Sequence, residues 1–385
     1  MRNLVLAASL LALLEPTVFS DQSLFAPAAT MQTRVAAPGE VGVPRFELDP
    51  AWPKIPEGWK LGPVSNAAAD ADDNIWIIHR PNYLPESDRA NAAPSVLQFD
   101  NAGNFIQGWG GKDGPGYEWT AAEHGVHIDY KGYVWVVGLD HVLLKFTKAG
   151  KFVLQIGRRG QPGDNDSIGN FARPAAVWVH PDTNELFVAD GYDNQRVIVF
   201  DADTGQYKRH WGAYGKKPAK RLTPPSAPQD PAEARPWRHT FAASLQGFSE
   251  VHDVAVSRDG LVYAADRGNN RIQVFTIDGR YVAQQFVGLD VVAPQESQLQ
   301  SRGVAFSADP AQTFLYVAGN PEISILNRRT LQILGSFVTG NPEDEHPYNH
   351  HIATDRKGNI YTASTNRGPD WANAVLIRKW VFKGP

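Results

Sequence analysis

The chain has 385 residues, 42% of them hydrophobic and 20% charged, and its 37 basic and 41 acidic residues give a formal net charge of −4. This composition excludes a disordered chain, and the balanced charge without basic runs excludes a nucleic-acid-binding surface. The chain has no cysteine, which excludes disulfides, thiolate metal sites and thiol nucleophiles, so any metal must be held by histidine, carboxylate or carbonyl groups.

The first 20 residues have the pattern of a secretory signal peptide. Arg2 precedes an apolar run from Leu4 to Leu14, and Glu15-Pro16 and a Val18-x-Ser20 stretch that resembles a cleavage site follow. This run is shorter than the ~18 apolar residues that a membrane-spanning helix needs. We therefore expect a signal peptide at 1–20, a flexible Ala/Pro-rich segment at 21–45, and a secreted or periplasmic protein without a membrane span.

The rest of the chain repeats one unit six times. Each unit has a turn of Asp, Asn or Gly type followed by a β run that carries an aromatic residue. The six aromatic marks are Trp76, Trp135, Phe187, Tyr263, Tyr316 and Tyr361. Further β runs ending near an aromatic residue follow most marks, and hairpin signals such as Asp-Gly or Ala-Gly separate them.

The spacing of the marks predicts an all-β fold, a six-bladed β-propeller over residues 46–385. The steps between marks are 59, 52, 76, 53 and 45 residues, which suit four-stranded blades with loop insertions. No helical periodicity is sustained. The segment near Phe46 to Leu48 is a candidate to complete a terminal blade. The longest step contains a Pro-rich stretch at 216–237, which we expect to be a long loop, either a tolerated surface loop or a lid beside a site.

Three histidines occupy the same position in alternate repeats. His124, His252 and His350 each lie eleven residues before an aromatic mark, in repeats two, four and six. Alternate blades of a six-bladed ring are about 120° apart, so three such side chains can converge on its axis. Three imidazoles with an open fourth position are typical of a catalytic zinc site, although iron, cobalt and manganese accept the same ligands.

The other histidines show no such phase. His127 and His351 lie close to the three in sequence, and we expect them to be hydrogen-bonded strand residues, with supporting or replacement ligands as the alternative. We expect the remaining ones to be surface or loop residues: His141, His180, His210, His239 and His346.

Residues that follow the marked strands are candidates to face the same point. Arg80 lies four residues after Trp76, Arg267 four after Tyr263, and Tyr192 five after Phe187. Arginine binds carboxylates in bidentate fashion, and a tyrosine beside a divalent cation can accept a proton. We expect the neighbouring polar residues to make hydrogen bonds within the blade turns: Asp190, Asn194, Arg196, Asp266 and Asn270.

The segments Ala189–Val197 and Ala265–Gln273 resemble NHL-repeat propeller motifs, in particular the catalytic core of peptidyl-α-hydroxyglycine α-amidating lyase, over about residues 60–380. The resemblance implies zinc on His124, His252 and His350, with Tyr192, Arg80 and Arg267 as catalytic residues. It implies a lyase that cleaves the C–N bond of an α-hydroxyglycine-like substrate to an amide and glyoxylate.

The sequence departs from the family at one informative position. The family has an aspartate for a structural calcium directly after the third histidine, whereas this chain has His351, so we do not expect calcium there. Two alternatives remain: a propeller hydrolase such as a lactonase, which would hold calcium on Glu, Asn and Asp, and a non-catalytic NHL binding module. We expect a monomer that acts on a small-molecule or peptide substrate.

Overall fold

A computed structural model describes residues 42–218, 246–287, 301–339, 349–365 and 376–385. The predicted signal peptide at 1–20, nearly all of segment 21–45 and most of the predicted loop at 216–237 lie outside the described residues. His239 and His346 lie outside them too. Within the described ranges, no helix is both long and apolar enough to cross a membrane.

The described residues form six four-stranded antiparallel sheets, which confirms the predicted six-bladed propeller. In chain order the strands are β1 Phe46–Asp49; blade 1, β2 Val64–Ala69, β3 Ile75–His79, β4 Val96–Phe99 and β5 Phe105–Trp109; blade 2, β6 Glu123–Ile128, β7 Val134–Gly138, β8 Val142–Phe146 and β9 Phe152–Gly157; blade 3, β10 Ala176–His180, β11 Glu185–Asp190, β12 Arg196–Asp201 and β13 Tyr207–Trp211; blade 4, β14 Val251–Val256, β15 Leu261–Asp266, β16 Arg271–Thr276 and β17 Tyr281–Phe286; blade 5, β18 Gly303–Phe306, β19 Phe314–Ala318, β20 Glu322–Asn327 and β21 Ile333–Val338; blade 6, β22 His351–Thr354, β23 Ile360–Ala363 and β24 Ile377–Phe382. Short 3-10 turns occur at Pro81–Tyr83, Glu86–Asn91, Ala213–Gly215 and Arg267–Asn269.

The turn that joins the first two strands of a blade explains the repeated sequence mark. In blades 1, 2 and 6, one carboxylate oxygen of an aspartate in this turn accepts hydrogen bonds from the backbone N–H groups two and four residues later. Its other oxygen accepts a hydrogen bond from the side chain of the aromatic residue six positions later. These aspartates are Asp70, Asp129 and Asp355, and their aromatic partners are Trp76, Trp135 and Tyr361, at 3.0 to 3.1 Å. Each aspartate therefore satisfies buried donors that would otherwise have no partner.

The hydrophobic core lies between neighbouring blades. Trp76 and Ile78 of blade 1 pack with Val126 and Ile128 of blade 2. The same arrangement recurs around the ring, because successive residues of a strand point to its two faces and each face meets a different neighbour. The sheets are consequently apolar on both sides.

The two ends of the chain meet in the last blade. β1 pairs antiparallel with β24, with Phe46 opposite Phe382, so the sheet order is β1, β24, β23, β22. Phe46 also stacks on Phe337 of blade 5 at 4.9 Å between ring centroids. This confirms that the segment at Phe46 to Leu48 completes the terminal blade, and it closes the ring.

The ring has two unlike ends. At the end that we call the turn end, four to seven residues join the first and second strands of each blade. The opposite end, the loop end, carries the connections between blades, from 12 residues between β21 and β22 to 39 between β13 and β14. The first strand of every blade begins at the loop end.

Candidate metal centre

Irregular pairing at the start of two inner strands redirects their side chains. In β6, Glu123 lies opposite Gly138 and Gly125 opposite Val137, so His124 is an extra residue. β14 has the same bulge at His252. His350 directly precedes β22, and its N–H donates to the carbonyl of Ala363 at 2.7 Å. A bulge aims a side chain away from the regular alternation of the strand.

The structure brings the three in-phase histidines together. Candidate ligand nitrogens of His124, His252 and His350 all lie within 4.8 Å of one another. Their ring centroids are 4.7 to 5.0 Å apart, and the side chains are buried. Among the described residues, these three form the one group of His, Asp or Glu side chains that lie close enough together to share an ion.

The other three blades hold these imidazoles in place. His124 Nδ1 donates to the carbonyl of Ala175 at 2.7 Å, His252 Nδ1 to Arg302 at 2.6 Å and His350 Nδ1 to Ser65 at 2.6 Å. A carbonyl oxygen can only accept, so each Nδ1 carries the proton and each Nε2 keeps its lone pair. Blades 1, 3 and 5 therefore fix the tautomer that a metal requires.

Burial keeps the three histidines neutral. It lowers the pKa of His124, His252 and His350 well below the usual 6.5, and the positive charges of Arg80 and Arg267 reinforce this effect. Neutral imidazole is the form that binds a metal ion. The donor set therefore fits a divalent transition metal, with three nitrogen ligands and room for another group.

Tyr192 lies directly beside the three imidazoles. It is in the connection between β11 and β12 at the loop end, and its hydroxyl is 3.0 Å from His124 Nε2 and 3.1 Å from His252 Nε2. The sequence places Tyr192 only a few residues beyond a marked strand. The structure places its oxygen within hydrogen-bond distance of two candidate ligand atoms.

Two guanidinium groups accompany the tyrosine. Arg267 Nη1 lies 3.4 Å from the Tyr192 hydroxyl, while its Nε and Nη2 donate to the two carboxylate oxygens of Glu250 at 2.9 and 2.6 Å. Arg80 is buried, and its Nε donates to the carbonyl of Glu123 at 2.6 Å. All of the predicted site residues therefore lie at the loop end of the ring.

Sequence reasoning missed two residues beside Tyr192. Glu250 orients Arg267, and the guanidinium of Arg173 lies 5.0 Å from the centroid of the Tyr192 ring. Both residues come from connections between blades. These segments carry no repeated spacing that could have indicated a role.

The neighbouring histidines have other partners. His79 accepts the N–H of Gly62 through Nδ1 at 3.1 Å and donates through Nε2 to the carbonyl of Pro94 at 2.9 Å, and its burial lowers its pKa to about 4. His127 Nε2 accepts the N–H of Val179. His351 Nε2 lies 3.2 Å from an oxygen of Asp253, but neither ring nitrogen of His351 makes a hydrogen bond among the described residues.

One histidine prediction is wrong. His180 was expected at the surface or in a loop, but it ends strand β10 and is 4% exposed. The residue closes an apolar strand, and its ring lies within 3.2 Å of Thr183 in the following turn. Its burial follows from blade packing, which the spacing of single histidines does not report.

The blade-turn residues make the predicted kind of hydrogen bond. Asp190 accepts from Asn194 and Arg196, both at 2.8 Å. Asp266 accepts from Arg271 and from Asn269, both at 2.7 Å. Asn270 adopts the left-handed conformation that ends the turn, with a φ of 50°, and its N–H donates to the carbonyl of Arg267 at 3.1 Å.

A cavity of about 430 Å³ occupies the axial channel on the turn-end side of the three histidines. Inner strands of all six blades line it, including His127, Trp178, Asp253 and His351. Trp178 contacts the His127 ring of blade 2 at 5.0 Å and the Phe306 ring of blade 5 at 6.3 Å, so its indole reaches across the channel. Tyr192, Arg80 and Arg267 lie on the opposite side, at the loop end.

Comparison with known proteins identifies the repeat unit. Residues 248–275, which contain β14, β15 and most of β16, match the family model of the NHL repeat. The match covers one blade. The chain aligns over 351 residues with peptidyl-glycine alpha-amidating monooxygenase B of Xenopus laevis, at 27% identity over 85% of this chain and 35% of that protein. This chain spans about a third of the frog protein's length.

A shorter match has higher identity. Peptidyl-alpha-hydroxyglycine alpha-amidating lyase 2 of Drosophila melanogaster is 36% identical over 176 residues, which are 42% of this chain and 41% of that protein. Among solved structures, a streptogramin B lyase covers 88% of this chain and 98% of its own, with a TM-score of 0.51 and 12% identity, and so supports the propeller fold alone. These matches confirm the resemblance to amidating-lyase NHL propellers.

Proposed function

We propose that this protein is a zinc-dependent lyase that cleaves the C–N bond of an N-acyl-α-hydroxyglycine, releasing an amide and glyoxylate. The observation that carries the proposal is the convergence of His124, His252 and His350 on one point, with the Tyr192 hydroxyl oxygen 3.0 and 3.1 Å from two of their Nε2 atoms. The similarity to a protein named as an α-hydroxyglycine lyase supports the choice of reaction.

The metal would be held by the Nε2 atoms of the three histidines. Three imidazoles and an open position are the usual ligands of catalytic zinc, and iron, cobalt and manganese accept the same set. When bound, such an ion lowers the pKa of a coordinated hydroxyl group and polarises it as a Lewis acid. The lone pairs that His124, His252 and His350 direct inward suit this role.

Tyr192 is the proposed base. As the phenolate, its oxygen takes the proton of the substrate hydroxyl, the O–H electron pair forms the C=O bond of glyoxylate, and the C–N electron pair leaves with the amide nitrogen. The departing amide nitrogen then receives the proton back from Tyr192, so the reaction consumes no water and no redox partner. Arg267, 3.4 Å from the Tyr192 hydroxyl, stabilises negative charge on that oxygen.

Arg80 and Arg267 are the proposed ligands of the substrate carboxylate. Both are fixed, Arg80 by a backbone carbonyl and Arg267 by the carboxylate of Glu250. A fixed guanidinium loses little conformational entropy when it binds a carboxylate. One of the two can orient the reacting carbon while the other stabilises charge at Tyr192.

The proposal also includes the location of the enzyme, the size of its substrate and its oligomeric state. The signal-peptide pattern at 1–20 favours a secreted or periplasmic protein. The substrate is a small molecule or a peptide, because the site lies at an end of the channel rather than across a broad surface. We expect a monomer.

The test combines metal analysis with a glyoxylate-release assay on N-benzoyl-α-hydroxyglycine. The protein as purified should contain about one transition-metal ion and release glyoxylate. His124→Ala should lose both properties. His210→Ala, which changes a half-buried histidine on the outer strand β13, should keep both.

Three results would overturn the proposal. Full metal content and full activity in His124→Ala would show that the three histidines are not the centre. A protein that holds calcium, contains no transition metal and hydrolyses lactones would be the propeller hydrolase instead. A protein with neither metal nor turnover would be a binding module.

A further inference from the structure

Arg173 is fixed at the loop end by an unusual backbone conformation. It lies in the connection between β9 and β10 and has a φ of 59°, in the left-handed region that non-glycine residues rarely adopt. Its N–H donates to His141 Nδ1 at 3.1 Å, and its carbonyl accepts the N–H of Tyr192 at 3.4 Å. A strained conformation held by partners on both sides is frequent at functional sites.

The side chain of Arg173 lies over the proposed base. Its guanidinium carbon is 5.0 Å from the centroid of the Tyr192 ring, compared with 5.2 Å for Arg267. Its closest carboxylate oxygen, on Asp193, is 4.0 Å away, and the side chain is 44% exposed. Arg173 is therefore a third cation around Tyr192, and it stands at the rim.

The three guanidinium groups differ in the partners that bind them. Arg267 is bound by both oxygens of Glu250, and buried Arg80 is bound by a backbone carbonyl. Among the described residues, the carboxylate nearest to Arg173 is Asp193 at 4.0 Å, so the N–H edge of its guanidinium is available to a ligand. The two fixed groups suffice for the carboxylate of the α-hydroxyglycine, which leaves Arg173 for a second group.

The direction of the substrate indicates what that group is. The reacting carbon must lie beside Tyr192 and the three histidines, which are buried. The acyl part of the substrate then extends toward the exposed rim, where Arg173 lies. A guanidinium at this place recognises a carboxylate better than it recognises a neutral group.

We propose that Arg173 binds a carboxylate on the acyl side of the substrate, which makes the protein selective for α-hydroxyglycines with an acidic acyl group. This inference rests on the proposed function, since it names the substrate class of the same site. The competing explanation is that Arg173 only supports the Tyr192 ring. That role would affect every substrate alike.

The experiment uses the metal-loaded full chain and two matched substrates. N-succinyl-α-hydroxyglycine ends in a carboxylate, and N-succinamoyl-α-hydroxyglycine ends in a carboxamide of nearly the same shape. The wild type should show about tenfold higher kcat/KM for the carboxylate. In Arg173→Gln this ratio should fall close to one through a higher KM for the carboxylate, and Arg173→Lys should keep part of it. Arg280→Gln, an exposed arginine at the turn end, is the control and should keep the full ratio.

The inference is overturned if the wild type does not distinguish the two substrates, or if Arg173→Gln lowers kcat/KM equally for both. Binding of N-succinylglycine and N-succinamoylglycine, which lack the reacting hydroxyl, is measured in parallel by calorimetry. If neither α-hydroxyglycine releases glyoxylate, the proposed function fails. The calorimetric preference for N-succinylglycine and its loss in Arg173→Gln then decide separately whether Arg173 is an anion site.

Discussion

The turn end and the loop end of the ring are built from the same strands but use polar residues in opposite ways. At the turn end, Asp70, Asp129 and Asp355 satisfy backbone and aromatic donors of their own blades. At the loop end, His124, His252 and His350 take one partner from a neighbouring blade and direct the other nitrogen at a shared centre. The turn-end aspartates also bond to neighbouring blades, Asp70 to Lys148 at 2.9 Å and Asp355 to Asn101 at 2.7 Å. This end therefore serves stability, while the loop end carries the long connections and the chemistry.

The largest expected effect concerns the loop end. Tyr192→Phe removes the oxygen that lies 3.0 Å from His124 Nε2, and kcat should fall by about 10² to 10⁴, the usual contribution of a general base. Metal content should not change, because the histidines keep their carbonyl partners. Tyr281→Phe, on an outer strand, is the control. A loss of less than tenfold in Tyr192→Phe would assign the proton transfer to another group.

Acid should weaken the whole ring through its buried histidines. Burial lowers the pKa of His79 from 6.5 to about 4, so between these values the unfolded chain binds a proton that the folded chain does not, and stability falls as the pH falls. From pH 6.5 to 5 the loss for His79 is about 2 kcal/mol.

Urea unfolding at pH 7 and pH 5, with chelator present throughout, measures this effect. His79→Gln should lose about 2 kcal/mol less stability between the two pH values than the wild type does. Equal losses in the two proteins would show that His79 is protonated in the folded ring.

A change at the turn end should affect stability alone. Asp129→Ala leaves the buried Trp135 Nε1–H and two backbone N–H groups without their acceptor, which should lower the free energy of unfolding by about 2 kcal/mol. Asp72→Ala, in the corresponding turn of blade 1, changes an exposed residue and should have little effect. A lower kcat/KM in Asp129→Ala would show that the turn end also affects catalysis at the loop end.

The smallest expected effect tests a positioning residue. Glu250→Gln removes the charge that holds Arg267 at 2.6 and 2.9 Å, and kcat/KM should fall about tenfold, mainly through KM. Glu250→Asp should restore part of the loss. Glu47→Gln, at an exposed ion pair of β1, is the control. An unchanged KM in Glu250→Gln would show that Arg267 does not bind the substrate carboxylate.

The sequence predicted the ring and the converging histidines because both depend on repetition. A residue eleven positions before each mark must occupy the same place in every blade, so the phase of His124, His252 and His350 determines their position in space. Tyr192 and Arg267 were indicated by the resemblance and by their position after marked strands.

The rest of the site depends on contacts between blades, which have no period along the chain. Glu250 and Arg173 lie in connections of irregular length, and the carbonyls of Ala175, Arg302 and Ser65 are backbone groups that no residue type reveals. The bond from Asn269 to Asp266 depends on the conformation of one turn, which ends at Asn270. Residue preferences do not predict the conformation of each residue in such a turn.

The seam between β1 and β24 closes the blade that supplies the third imidazole. His350 belongs to the blade that this seam completes, and its Nδ1 partner, Ser65, belongs to the blade on the other side. The third imidazole therefore has its carbonyl partner only when the first and sixth blades stand side by side. Metal content of the purified protein would report that the ring has closed.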